Sequence, residues 1–196
     1  MTGEAALARM LAQARTLRSG FASTAPEPWD GTTAAAELTV QLGHLAQCIG
    51  RRHGLDLSRF EDPARPITDT GDELADVALA IFSIAILSGD EPPAPPESPD
   101  DPRQVSETTA GDAALLLALV IAAGRLAESA MVAGGYRHRP SGDMPAVAEA
   151  AGTALAAAGQ LAAATGVDLP AVFDAMSADA TSFLASRSVR AGGDPA

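Results

Sequence analysis

Residues 71–89, GDELADVALAIFSIAILSG, restrict the fold more than any other part of the chain. Leu74, Val77, Ile81 and Ile84 recur at three- and four-residue spacing, the period of one helix face. Beyond Asp76 the other faces stay apolar too, Ser83 apart, as far as Ser88. A helix apolar all round belongs in an interior, so the rest of the chain must surround it. Its first turns nevertheless carry Glu73 and Asp76, three apart and therefore on one side. Carboxylates entering a buried helix need hydrogen bonds, an opposite charge or a cation. A capping role competes with a functional one. Thr70-Gly71-Asp72-Glu73 has the capping-box spacing, in which Glu73 bonds back to its own helix start, and Asp69 and Asp72 suit a helix N-terminus electrostatically.

Hydrophobic residues make up 47% of the 196, yet aromatics only 4%, and alanine dominates. That composition favours closely packed helices and an all-α fold. The formal charge of -12 opposes nonspecific nucleic-acid binding and attraction to anionic membranes, while suiting a protein that handles hard cations. A single cysteine, Cys48, excludes an internal disulfide and a cysteine-based zinc cluster, and reads as a small buried hydrophobe. The N-terminal stretch lacks a basic-then-apolar leader pattern. The apolar runs 77–88 and 113–124 fall short of the roughly 20 residues that span a bilayer. A cytoplasmic protein without membrane partners is expected.

Periodicity and punctuation predict helices over 3–19, 32–53, 71–89, 108–134, 144–165 and 168–187. The first buries Leu7, Met10, Leu11, Ala14 and Leu17 and stops at Gly20. A loop with two prolines follows and carries Trp29, which reads as a core plug or as the wall of a ligand pocket. The second helix has an apolar stripe of Leu38, Leu42, Leu45 and Ile49, with Gly43 expected to admit a neighbouring helix. Glu37, Gln41 and His44 share another of its faces. Arg51 and Arg52 close it with positive charge, as caps or as phosphate contacts. Residues 91–107 are a proline-rich acidic linker. Asp168 is placed to cap the last helix, which should bury Val172, Phe173, Met176 and Phe183.

The two halves resemble each other. QLGHLAQCI at 41–49 lies over AAGRLAESA at 122–130, and ELADVALA at 73–80 over EAAGTALA at 149–156. The domain reading is therefore a unit at 1–90, the linker at 91–107, a degenerate second unit at 108–188 and a tail at 189–196. The pattern implies an intrachain pseudo-dimer, with a homodimer as the other arrangement.

DELADV at 72–77, preceded by a helix carrying QLGHLAQC, resembles the MazG-like all-α nucleoside triphosphate pyrophosphatases. The resemblance implies a MazG-like helical bundle. The family motif is EExxE followed after a spacer by ExxD, and its carboxylates hold the Mg²⁺ that bridges substrate phosphates. ExxD matches at Glu73-Leu74-Ala75-Asp76. EExxE falls on Val40, Gln41, Leu42, Gly43 and His44, so none of its three acidic positions holds a carboxylate. The resemblance implies a metal site of Glu37, Glu73 and Asp76 with His44 as a further ligand. Mg²⁺ or Mn²⁺ would be the cofactor, and His44 would suit Mn²⁺ better. Gln41, Arg51, Arg52 and Trp29 would contact a nucleotide. Two functions follow: cleavage between the α and β phosphates of a nucleotide, or a bundle that has lost catalysis and serves in nucleotide binding, regulation or assembly.

Overall fold

A computed structural model describes residues 3–64, 66–90, 111–136 and 143–191, without the side chains of 188–191. Among them the protein is all-α, with six helices and no strand. They are α1 (Gly3–Ala22), α2 (Gly31–Arg52), α3 (Thr70–Leu87), α4 (Asp112–Ala133), α5 (Val147–Thr165) and α6 (Leu169–Ala191), with a single 3₁₀ turn at Ser58–Phe60 between α2 and α3. The linker at 91–107, the start of the fourth predicted helix at 108–110 and the end of the tail at 192–196 lie outside the described residues.

α3 is the axis of the bundle and packs against each of the other five helices. Its predicted stripe of Leu74, Val77, Ile81 and Ile84 is inaccessible to solvent, and so are Ala75, Ala78, Phe82 and Ala85 on the remaining faces. α2 pairs with α3, and α4 pairs with α5. The two hairpins meet through α2 on α4 and α3 on α5, and one hydrophobic cluster runs through both. α1 and α6 pack on each other and on α3. The aligned segments of α2 and α4 also share a burial pattern. Leu45 and Leu126 are both fully buried, while Gly43 and Gly124 both face outward.

Several local expectations are corrected. α1 does not stop at Gly20. It runs on to Ala22, and Gly20 lies where a Cβ would meet Leu184 Cδ1 of α6 at 2.6 Å. Close approach of another helix, not termination, explains that glycine. Gly43 is the reverse case, because a Cβ there would meet nothing within 4 Å, so no helix approaches it. Phe183 is exposed beneath the Arg187 guanidinium, whereas Phe173 is fully buried edge-to-face against Phe82 with centroids 5.8 Å apart. Asp168 does cap α6, accepting from the Ala171 N–H at 3.2 Å. Gly166, at φ +76°, ends α5, and the chain turns through 105° into α6. α4 as a whole is longer than its densest apolar run and is long and apolar enough to cross a membrane. In the bundle it buries Leu119, Ala122, Ala123, Leu126 and Ala130 and exposes Leu117, Val120 and Ile121.

Two substitutions test this packing. Phe173→Ala should cost roughly 3–5 kcal/mol in urea unfolding, and a loss below about 1 kcal/mol would show that α6 is not docked on α3. Gly43→Ala should stabilise by about 0.5–1 kcal/mol, because an exposed helical glycine carries only its entropy cost.

Candidate functional site

The end of α1 and the loop after it, one face of α2, the start of α3 and the middle of α6 enclose a cleft of about 680 Å³. Arg18, Phe21 and Trp29 form one wall, and Glu37 and Gln41 come from α2. Asp72, Asp76 and Leu79 come from α3, and Met176 and Asp179 from α6. Four of the residues singled out in the sequence, Trp29, Glu37, Gln41 and Asp76, therefore share one cavity. Trp29 is a wall, not a core plug. It is 38% exposed, and the Arg18 guanidinium lies 4.8 Å from its ring centroid and 4.9 Å from that of Phe21.

Burial dominates the electrostatics of this wall. Arg18 Nε is buried without a hydrogen-bond partner. Burial lowers the Arg18 pKa, and Glu37 only partly restores it. Burial likewise pushes Glu37 up against the opposing pull of Arg18. The two charges attract across the cleft, yet for each of them desolvation outweighs that attraction. Asp72 is also pushed up, first by burial and then by the like charges of Asp69 and Asp179.

Glu73 and His44 lie apart from this lining. Glu73 is buried, 8% exposed, and its Oε2 is 3.4 Å from His44 Nδ1. The same nitrogen is 3.2 Å from Gln41 Oε1. The His44–Gln41 contact is a hydrogen bond, whereas His44 and Glu73 meet at ion-pair distance only. Gln41 and His44 on α2 thus present a hydrogen-bonded pair to Glu73 on α3. Among the described residues no three His, Cys, Asp or Glu side chains converge at metal-ligand spacing. The expected ligands divide instead, with Glu37 and Asp76 on the cleft and Glu73 on His44. This arrangement does not fit a resident divalent cation.

Arg51 and Arg52 are not part of the cleft lining. Arg51 bonds Glu61 at 2.7 Å and also donates to the Ile67 carbonyl, fastening the connector after α2. Arg52 reaches Asp112 at the start of α4 at 3.2 Å, and His53 bonds the same carboxylate. The cap of α3 is Asp69, which accepts from Gly71 N–H at 2.7 Å and Asp72 N–H at 3.3 Å, so Thr70 is not the cap. Cys48 is buried as expected, and its thiol pKa is pushed up chiefly by desolvation.

Sequence reasoning missed Arg18, Phe21, Asp72 as a lining residue, and Asp179. Arg18 and Phe21 had a readable signal, since they sit three apart at the end of α1 and just ahead of Trp29. Asp179 had none, because it joins the cleft only through the docking of α6. Comparison with protein-family models, curated proteins and solved structures finds no match to this chain.

Two measurements check the site's local physics. Asp69→Ala should lower stability by about 1 kcal/mol while Thr70→Ala does so less, because only Asp69 carries the cap bonds. Glu37 has a raised pKa in the folded state, so its ionised form penalises the fold. The penalty is absent below the unfolded pKa and complete above the folded one. Glu37→Gln should therefore gain stability relative to wild type between acidic and neutral pH, read by thermal unfolding. A constant difference across that range would refute the burial effect.

Proposed function

We propose that this protein is a MazG-like tandem helical bundle that has lost metal-dependent nucleotide pyrophosphohydrolysis and serves as a small-molecule binding module. The observation that carries this reading is the contact of the hydrogen-bonded Gln41–His44 pair with Glu73. By the resemblance, these positions are ones at which carboxylates of the family hold Mg²⁺. Here an amide and an imidazole stand at two of them, and the imidazole engages the remaining acid. The pairing of α2 with α3 and of α4 with α5, with like helices meeting between the hairpins, supports the tandem arrangement.

Hydrolysis is the second reading, favoured by one observation: Glu37, Gln41, Asp76 and Trp29 line the same cleft. Metal titration decides between the two. Calorimetry of the wild type with Mg²⁺ or Mn²⁺ should show no saturable heat, and nucleoside triphosphates should stay intact. The variant Gln41→Glu/His44→Glu restores two of the family's acidic positions and should bind Mg²⁺. Saturable binding by the wild type, abolished in Glu73→Ala/Asp76→Ala, would return the hydrolase reading to the front.

A further inference from the structure

The cleft has a volume ample for a small organic molecule. Its lining presents four carboxylates, Glu37, Asp72, Asp76 and Asp179, against one guanidinium, Arg18. A cavity of that sign repels a free phosphate or carboxylate and concentrates cations, the more so in a chain of net charge -12. An anion would need a metal to bridge it, and among the described residues no trio of ligands converges to hold one.

The aromatic wall gives an independent indication. Phe21 and Trp29 already embrace a cation, with the Arg18 guanidinium within 5 Å of both centroids. Ring faces at this distance attract positive charge through their quadrupole. Leu79 and Met176 add an apolar surface to the same cavity. Burial raises Glu37, and burial with like charge raises Asp72, so both carboxylates would gain from a positive neighbour.

We propose that this cleft binds an organic cation, an ammonium carried on a flat or aliphatic apolar body. The ammonium meets Glu37 and Asp179, and the body lies on Leu79, Met176 and the Phe21–Trp29 wall. This rests on the reading that the site works without a resident metal, and it replaces the family's metal-bridged anion with a cation as the ligand class.

The test uses a matched pair of probes, phenethylammonium and phenylacetate, which share a ring and differ in charge sign. Each is titrated calorimetrically into the full chain, with Trp29, the only tryptophan, as a fluorescence reporter inside the cleft. Saturable binding of phenethylammonium with no response to phenylacetate is expected. Glu37→Gln/Asp179→Asn should weaken the amine about a hundredfold, the scale of two lost charge-assisted contacts. Leu117→Ser on the far face of α4 should leave it unchanged. Equal binding of both probes, or no amine binding at millimolar concentration, overturns the proposal. A Mg²⁺ titration run in parallel separates the two readings. Saturable Mg²⁺ heat overturns the metal-free reading, and the cation proposal that rests on it falls too. Absence of amine binding without Mg²⁺ heat overturns the cation proposal alone.

Discussion

Burying α3 on every side is the constraint from which the rest of the architecture follows. Nine of its side chains from Leu74 to Ala85 are inaccessible to solvent, and no two-helix arrangement can cover so many faces. Five helices do it here, α1, α2, α4 and α5 with stripes rich in alanine and leucine and α6 with Leu169 and Phe173, all in one continuous core. Alanine makes this workable. Small side chains let several helix axes crowd around one rod, so the aromatic content can be low. The bulk needed to fill the remaining gaps comes from a few large residues such as Phe82 and Phe173.

Among the described residues the one charged side chain in the buried core, Glu73, sits at the amino-terminal end of α3, and the chain handles each acid there differently. Asp69 is spent on backbone N–H groups. Glu73, the most buried, faces an imidazole from α2. Asp72 and Asp76 turn toward the cleft, where α6 adds Asp179. The same helix end thus supplies a cap, an interhelical tie and part of a cavity wall. The division also explains why these acids do not gather round one point. Residues three and four apart share a side, but Gln41 and His44 draw Glu73 to one partner while Asp76 opens onto another.

The helices were readable because their signals are local: the three-and-four spacing in α3, the Asp-Gly before α2, the Asp-Leu-Pro before α6. Errors arose where a residue's role depends on what approaches from far along the chain. Gly20 resembles a stop signal until Leu184 is seen against it, and Gly43 resembles a packing notch until that space is found open. Phe183 fits the helical period of α6, yet it lies beyond the stretch that reaches α3. The cleft was half legible. Trp29, Glu37, Gln41 and Asp76 were named from spacing and resemblance, whereas Arg51 and Arg52 look the same in sequence whether they meet a ligand or, as here, Glu61 and Asp112. Arg18 and Asp179 acquire meaning only when α1 and α6 come together.

That last meeting has a consequence for how the protein is made. Arg9 and Gln13 on α1 bond Asp174 on α6, a closure spanning some 160 residues of chain. On the ribosome α1 is made some 160 residues ahead of α6, a delay on the order of ten seconds. Through that interval the Met10–Leu17 stripe lacks its α6 partner, and the Phe82 edge that meets Phe173 stays bare. The nascent chain therefore carries an open apolar seam until α6 is released, so chaperone demand should last until then. The wall of the cleft, shared between those two ends, is finished only when the seam shuts.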